Sequence, residues 1–220
     1  MENILHLTND GSHTIYSKIT EENYHSDNGA ISESNHVFIK NGLAGINKTE
    51  ISILEIGFGT GLNAFLSMLY AFENNLNITY TSIEKYPLKL DLVEKLNYAQ
   101  MLNADKNLFL SLHNSDWEKT VSINKAFKIC KINADLENYL YNADFNADLV
   151  FFDAFSPKKQ PELWTENIFK RIYEIMNDDS VFCTYSSAGI VKQNLRNAGF
   201  RVKRLPGPKG KFHILNAFKA

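Results

Sequence analysis

A short apolar stretch followed by three closely spaced glycines constrains the fold of this chain most strongly. Residues 51–56 read I-S-I-L-E-I, and residues 57–63 continue as G-F-G-T-G-L-N. An apolar run bounded by charge and by glycine is typical of a strand buried in a parallel sheet. The apolar pattern of residues 64–70 then predicts a helix. Such a strand–turn–helix unit lets the backbone approach a ligand closely, and the helix N-terminus offers free N–H groups.

Two kinds of nucleotide-type ligand compete for this turn. The dinucleotide fingerprint G-x-G-x-x-G requires glycine at position 62, where this chain has Leu62. The spacing here is G-x-G-x-G with Glu55 before it, which resembles the pattern of S-adenosyl-L-methionine (SAM) methyltransferases. Tight turns between a strand and a helix also collect glycines without any ligand, so the neighbouring residues have to decide. The predicted cofactor contacts of this stretch are Glu55, Gly57, Phe58, Gly59, Gly61 and Asn63.

Strand-like and helical patterns alternate after the glycine turn. Strand patterns cover residues 78–83, 127–132, 147–152 and 181–185, and the segments between them are largely helical. The last two strand-like segments, 200–204 and 212–218, flank a P-G-P-K-G turn and predict an antiparallel hairpin. This order predicts an α/β, Rossmann-like methyltransferase fold with a mostly parallel, seven-stranded sheet and an antiparallel C-terminal hairpin. We expect one domain over residues 1–220, with residues 1–48 as an N-terminal cap or lid.

Composition excludes several classes of function. No apolar run approaches the length of a membrane span and no leader resembles a signal peptide, so we expect a cytoplasmic protein without a membrane partner. Cys130 and Cys183 each lie inside an apolar run, which favours buried thiols in a reducing compartment over a disulfide. The six histidines show no metal-ligand spacing, so no metal is expected.

Four acidic residues stand at or near the ends of predicted strands. In an open α/β sheet, ligands bind outside the carboxyl ends of the strands. Glu84, beside Lys85, is suited to accept both ribose hydroxyls, and Asp135 is suited to accept the adenine amine. Glu55 is expected to face the methionine ammonium directly or through water, and Asp153 closes the fourth strand. A single strand-end acid is often only a helix cap, but four in register with the glycines favour a SAM site.

The stretch after the fourth strand is expected to hold the methyl acceptor. Asp153 is the predicted catalytic residue, because its carboxylate can accept a proton from an alkyl ammonium or orient the amine. Four residues that follow it are predicted to contact the substrate: Phe155, Ser156, Pro157 and Trp164. The alternative is an ordinary loop with a helix-starting proline and a tryptophan that belongs to the core.

The C-terminal stretch carries segregated positive charge. No Asp or Glu occurs from Ser180 onward, although the whole chain has a net charge of −2. Such segregation is expected of a surface that meets phosphates, with Arg201, Arg204 and Lys211 as the predicted contacts. A solvated face of ordinary lysines is the alternative.

With these segments identified, the sequence resembles the methyltransferase part of the bacterial tRNA-modifying enzymes of the MnmC and MnmD type. The matching segments span nearly the whole chain: residues 24–26, 33–38, 55–63, 83–87, 153–159, 161–164, 184–189 and 198–200. The resemblance implies methylation of 5-aminomethyl-(2-thio)uridine at the tRNA wobble position, with SAM as cofactor and tRNA as partner. It also implies that Asp153 is the catalytic aspartate and that Tyr24 and Ser26 lie near the cofactor.

Two departures from the family bear on the substrate. MnmC carries a second, flavin-dependent half, for which 220 residues leave no room, so we expect no fused flavin domain and a substrate already at the aminomethyl stage. Where the family has Lys-Arg near the C-terminus, this chain has Lys211 and Phe212.

Two competing functions remain open at this level. A SAM-dependent N-methyltransferase of a small amine would share the cofactor site without needing RNA. A non-catalytic RNA-binding protein of the same fold is disfavoured by the carboxylates Glu84, Asp135 and Asp153, since RNA binding alone would not need them near phosphates. The sequence leaves the oligomeric state open.

Overall fold

The computed structural model describes residues 3–141 and 145–219. In it, the glycine turn follows the end of β4 (Glu50–Ile56), a central strand of an eight-stranded sheet. Residues 1–2, 142–144 and 220 of the predicted domain lie outside the described residues. The strands are β1 (Ile4–Leu7), β2 (His13–Ser17), β3 (Glu22–Asn23), β4 (Glu50–Ile56), β5 (Asn77–Ile83), β6 (Thr120–Ser122), β7 (Phe127–Ile132), β8 (Ala147–Phe152), β9 (Met176–Thr184), β10 (Arg201–Pro206) and β11 (His213–Phe218).

The α-helices are α1 (Ala30–Ser34), α2 (Leu62–Glu73), α3 (Leu90–Val93), α4 (Tyr98–Met101), α5 (Lys106–Asn114), α6 (Leu136–Tyr141), α7 (Glu166–Glu174) and α8 (Gly189–Asn197). A π-helical turn covers Asn35–Lys40, and two 3₁₀ turns cover Leu43–Gly45 and Pro161–Trp164. Within the described residues, no helix is long and apolar enough to cross a membrane.

The main sheet has the order β10-β11-β9-β8-β4-β5-β7-β6. Strands β9, β8, β4, β5 and β7 are mutually parallel, whereas β11 and β10 form the antiparallel hairpin beside β9. The predicted fold class is therefore confirmed, but the predicted count of seven strands needs correction. The additional strand, β6, pairs antiparallel with β7 at the edge. It has three residues, too few for a hydrophobic period to indicate a strand.

The central strand β4 is buried because helices cover both faces of the sheet. Ile53 and Leu54 point to opposite faces and join two separate apolar clusters. One cluster includes α2, and the other includes α7 and α8. Because β5, β7 and β8 run parallel to β4, the carboxyl ends of these four strands lie along one edge of the sheet, where ligands are expected.

The first 48 residues pack against this core. Strands β1, β2 and β3 form a small separate antiparallel sheet. Residues 35–40 form a π-helical turn, at the end of which the backbone N–H and the side-chain amide of Asn41 both donate to the carbonyl of His36. That turn buries Val37, Phe38 and Ile39, and the Phe38 ring lies 5.0 Å from that of Phe151 on the central sheet.

The C-terminal hairpin rises past the ligand-binding edge of the sheet. Leu215 on β11 lies beside Thr184, the last residue of β9, and pairs with Arg204 on β10. The hairpin continues for two more residues to the pair formed by Pro206 and His213. The turn at residues 207–212 therefore lies above this edge, on the side where the parallel strands end.

Candidate active site

A cavity of about 840 Å³ opens at the carboxyl ends of the parallel strands. Twelve of the predicted site residues line it: Tyr24, Ser26, Gly57, Phe58, Gly59, Asn63, Glu84, Lys85, Asp135, Asp153, Phe155 and Lys211. We call the part formed by the glycine turn with the ends of β5 and β7 the cofactor half, after the sequence-based expectation for these residues. The acceptor half of the cavity is formed by the end of β8, the N-terminal segment and the turn of the C-terminal hairpin.

The glycine turn approaches its neighbours so closely that side chains would not fit. Gly57 has φ +91, and a Cβ atom there would lie 2.6 Å from the backbone oxygen of Asp153. Gly59 has φ +48, and a Cβ atom there would lie 3.0 Å from the Tyr24 ring. These positions therefore present bare backbone to the cavity. Gly61 does not line the cavity, because it caps α2 and packs against His113 on the inner side.

Glu84 is anchored at the end of β5. One oxygen of its carboxylate accepts the Gly59 N–H at 3.0 Å and the other accepts the Tyr86 N–H at 2.7 Å. Burial raises the pKa of Glu84. Lys85 does not face the cavity as a free cation, because its ammonium donates to Asp135 at 2.7 Å. This hydrogen bond lowers the pKa of Asp135 and holds its carboxylate at the end of β7.

The predicted contact of Glu55 with the methionine ammonium needs correction. Glu55 is 0% exposed and does not line the cavity. Ser82 donates to its carboxyl at 2.6 Å, and burial raises its pKa to about 8. Position 55 lies inside β4, so its side chain points into a face of the sheet rather than across the edge. Of the groups that affect the pKa of Glu55, Asn63 and Asp153 line the cavity.

Asp153 lies directly after β8 at the boundary between the two halves of the cavity. Asn63 donates to its carboxyl at 2.8 Å, and its backbone N–H bonds to Ile56 at the end of β4. Removal from water raises the pKa of Asp153 to about 7, an effect that the Asn63 hydrogen bond opposes and Glu33 reinforces. The side chain is therefore a carboxyl group that gains or loses a proton near neutral pH.

Rings and a buried ion pair form the acceptor half. The Tyr24 and Phe155 rings meet edge to face at 5.0 Å. Lys211 forms an ion pair with Glu33, and its ammonium lies 4.0 Å from the centre of the Tyr185 ring. Glu33 also accepts the Ser26 N–H at 2.8 Å, which fixes the N-terminal segment beside the cavity.

Sequence reasoning did not select Glu33 or Tyr185 as site residues. Glu33 does not lie at the end of a parallel strand, whereas Tyr185 directly follows β9 but carries no acidic group of the kind that drew attention to Asp153 and Glu84. Glu33 belongs to the short helix α1, and Tyr185 follows β9 as one more aromatic residue after an apolar run. No local spacing distinguishes these two residues, since their proximity arises from packing between distant segments.

Three predicted substrate contacts after Asp153 lie away from the cavity lining. Trp164 is 2% exposed, packs on Phe152 at 4.8 Å between ring centres, and donates its indole N–H to the Phe155 carbonyl at 2.9 Å. It is a core residue that supports Phe155, in line with the alternative stated above. Ser156 and Pro157 are half-buried outside the cavity, and the Ser156 N–H donates to Glu22 at 2.9 Å.

Arg201 and Arg204 do not form one basic surface, which corrects their joint assignment. Both are exposed on β10 but point to opposite faces, because strand side chains alternate. Arg201 pairs with Phe218 beside Val181, three positions before the end of β9. It therefore lies roughly 10 Å below the ligand-binding edge. Arg204 is level with that edge but three strands away from β8.

The residues that line the cavity fit the chemical groups of SAM. Gly57 and Gly59 leave room for a ligand against backbone, Glu84 offers a carboxylate for ribose hydroxyls, and Asp135 offers one for an adenine amine. The described residues contain no group of three or more His, Cys, Asp and Glu side chains able to hold a metal ion. Fold and site together define an α/β protein with a cavity at the glycine turn that is suited to a nucleoside-type ligand.

Known proteins narrow this class to a family. The family described as S-adenosyl-L-methionine-dependent methyltransferase matches residues 83–220. The chain belongs to this family, so it is a methyltransferase that uses SAM. The crystal structure of MNMC2 from Aquifex aeolicus superposes with a TM-score of 0.82 at 28% identity, covering 99% of this chain and 70% of the other. DesVI of Streptomyces venezuelae, at 12% identity and a TM-score of 0.51, shares the fold.

Curated relatives show the same relationship in sequence. The tRNA 5-methylaminomethyl-2-thiouridine biosynthesis bifunctional protein MnmC of Marinomonas sp. is 30% identical over 202 residues, which is 84% of this chain. The protein of the same name from Burkholderia thailandensis is 30% identical over 222 residues, or 92% of this chain. The chain spans only 29% and 33% of the lengths of these two relatives. The resemblance to the MnmC methyltransferase part is confirmed.

Proposed function

We propose that this chain methylates the aminomethyl nitrogen of 5-aminomethyl-(2-thio)uridine at the tRNA wobble position, giving 5-methylaminomethyl-(2-thio)uridine. The observation that carries the proposal is the position of Asp153. Its carboxyl stands between the glycine turn and an acceptor half walled by Tyr24, Phe155 and Tyr185. The MnmC relatives, whose name states 5-methylaminomethyl-2-thiouridine biosynthesis, support this choice of substrate.

The reaction needs an amine lone pair in line with the methyl group. SAM, when bound, supplies an electrophilic methyl on a sulfonium. Asp153 accepts the proton that the substrate ammonium must lose before a nitrogen–carbon bond forms and the sulfur–carbon bond breaks. A carboxyl with a pKa of about 7 in the ligand-free protein is matched to this task at neutral pH. Asn63 holds one of its oxygens by a 2.8 Å hydrogen bond and so orients the group.

The acceptor half is suited to a flat ring carrying an amine. Tyr24 and Phe155 form an edge-to-face wall, and the Tyr185 ring lies behind Lys211. Burial of a base between such rings excludes water from the reacting nitrogen. Ser26 and Glu33, both on the N-terminal segment, close the side of the cavity next to Lys211.

An RNA substrate is favoured over a free small amine by the charge at the entrance. Lys209 lies on the turn above the sheet edge, in a stretch with no Asp or Glu from residue 180 onward, whereas the charge of Lys211 on the same turn is balanced by Glu33. Phosphates are the natural counter-charge for such a stretch. We place the reaction in the cytoplasm, where tRNA is modified, with tRNA as the macromolecular partner.

The decisive experiment is mass spectrometry of nucleosides from tRNA incubated with the protein and labelled SAM. The tRNA is taken from cells arrested at the 5-aminomethyl stage. We expect label in 5-methylaminomethyl-(2-thio)uridine, and we expect Asp153→Ala to lose most turnover while its SAM affinity stays nearly unchanged. Label on a free amine but on no tRNA nucleoside would support the small-amine enzyme instead. Turnover of Asp153→Ala near the wild-type rate would contradict the role of Asp153.

A further inference from the structure

Phe212 is the most exposed large apolar side chain among the described residues. Its exposed fraction is 94%, compared with 75% for Phe72 and 74% for Ile19. Phe212 lies on the turn between β10 and β11 and directly follows Lys211, which lines the cavity. The two Cα atoms are about 3.8 Å apart, so the backbone of Phe212 lies next to the acceptor half while its side chain is exposed to solvent.

The turn that carries Phe212 is held in place from several sides. His36 on the N-terminal segment hydrogen-bonds to the Pro206 carbonyl at 2.9 Å, and Lys211 is paired with Glu33. The Gly207 N–H donates to the Phe212 carbonyl at 3.0 Å and closes the turn. Gly210 packs directly against the Asn28 side chain. The exposed ring therefore stands on a fixed support, so little conformational entropy would be lost when a ligand contacts it.

The charge around Phe212 selects the kind of partner. Lys209 is exposed on the same turn, and Arg204 is exposed on β10 two positions before Pro206, where that strand ends; Lys203 points to the opposite face of β10. The Lys211 charge is balanced by Glu33. A rigid, exposed ring among cations is the combination that single-stranded nucleic acids use, with bases stacked on aromatic rings and phosphates beside basic side chains.

We propose that the Phe212 ring is a stacking platform for an unpaired base next to the nucleotide that enters the cavity. The inference rests on the proposed function, because it places the neighbouring nucleotide of the same RNA loop. Stacking on an aromatic ring tolerates any base, so the platform would position the loop without reading its sequence. Lys209 would then lie beside the phosphate that links the two nucleotides.

The test compares Phe212→Ala with Phe212→Trp in the full chain. The substrates are an anticodon stem-loop with 5-aminomethyluridine at the wobble position and the same modified nucleoside alone. We expect Phe212→Ala to raise the KM for the stem-loop about tenfold, the size of one lost base–aromatic contact, with unchanged KM for the nucleoside and unchanged Kd for SAM. Phe212→Trp should restore the stem-loop KM, and its indole fluorescence should be quenched when the RNA is added.

The matched control is Phe72→Ala, another exposed phenylalanine. Phe72 lies in the last turn of α2, ten residues along the helix from Leu62, which is roughly 15 Å from the glycine turn. We expect Phe72→Ala to leave the KM for the stem-loop and the KM for the nucleoside unchanged.

Three outcomes would overturn the platform. They are an unchanged stem-loop KM in Phe212→Ala, an equal rise for the nucleoside alone, or a change of oligomeric state on sedimentation, which would assign Phe212 to a protein contact. RNA could quench the indole fluorescence of Phe212→Trp while the wild type transfers no methyl group to that RNA. This result would support the stacking platform and contradict the proposed reaction.

Discussion

Asp153 and Glu55 are two carboxyl groups that the fold removes from water near one another. Burial raises both pKa values, to about 7 for Asp153 and about 8 for Glu55, and the Asp153 charge adds to the shift of Glu55. Two such groups resist being ionised together. A substrate ammonium beside Asp153 would relieve this repulsion, so the arrangement favours binding an amine in its ammonium form at the expense of stability in the ligand-free protein.

At the residue scale, we predict that Asp153→Asn stabilises the ligand-free protein at pH 8. The folded-state pKa of Asp153 lies above its usual value of 3.8, so the folded state binds more protons than the unfolded state between about pH 4 and 7. Its contribution to stability is therefore lost as pH rises through about 7. We expect a melting temperature at least about 3 °C above the wild type at pH 8, a difference that disappears toward pH 4.

Asp148→Asn is the matched control, with the opposite sign. Burial alone would raise the pKa of Asp148, but bonds from Lys48, Ser52 and Asn177 lower it overall. Because the pKa of Asp148 in the folded protein lies below its usual value, the ionised carboxylate stabilises the folded protein at any pH above that usual value. Asp148→Asn should therefore lower the melting temperature at pH 8. If the melting temperatures of both variants shift in the same direction at pH 8, the conclusion that ionised Asp153 destabilises the folded protein is wrong.

At the scale of elements, the glycine turn joins the strand β4 to the helix α2 and also forms the floor of the cofactor half. We predict that Gly57→Ala weakens both roles. A side chain at φ +91 costs roughly 1–2 kcal/mol, and its Cβ atom would lie 2.6 Å from the Asp153 carbonyl oxygen. We expect a fall in melting temperature of about 4 °C or more and at least about a tenfold rise in the SAM Kd by calorimetry.

Gly45→Ala serves as the control for this substitution. Gly45 lies in the 3₁₀ turn before β4, and a Cβ atom there meets nothing within 4 Å. The variant Gly45→Ala should retain the wild-type melting temperature and the wild-type affinity for SAM. Wild-type SAM affinity in Gly57→Ala would mean that the cofactor does not approach this turn.

At the scale of the whole molecule, the cavity is closed by segments far apart in the chain. The N-terminal segment meets the loop after β8, where Glu22 accepts the Ser156 N–H and Lys159 contacts Glu21 at 3.1 Å. The same segment meets the hairpin turn through Glu33 and Lys211. A ligand in the cavity would therefore stabilise the N-terminal segment, the central sheet and the hairpin together.

We predict that S-adenosyl-L-homocysteine, the demethylated cofactor, stabilises the protein as one unit. At 100 times its Kd it should add about 2.7 kcal/mol to the free energy of unfolding, which raises the melting temperature by roughly 5–10 °C. Hydrogen exchange of residues 17–28 should slow in parallel, because several of these residues line the cavity. Slower exchange confined to residues 57–63 would show that the N-terminal segment does not close on the ligand.

Much of the architecture could be predicted because its signals are local. The run at residues 51–63 specifies a buried strand, a glycine turn and a helix through nearest-neighbour chemistry alone, and the alternation of patterns led to the parallel sheet with its C-terminal hairpin. The rule that ligands lie at strand ends placed Glu84, Asp135 and Asp153 along one cavity, since the carboxyl ends of parallel strands share an edge.

Only the tertiary structure decided which other side chains reach that cavity. Glu33 and Lys211 are 178 positions apart in sequence, and no periodic pattern announces their contact. Trp164 belongs to the core and Glu55 is enclosed within the sheet, because orientation depends on which face a neighbouring helix covers. Short-range periodicity in the sequence predicted the succession of strands and helices along the chain and the chemistry at the strand ends. Long-range packing determined which side chains are buried, which face of the sheet they occupy and which residues form the acceptor half.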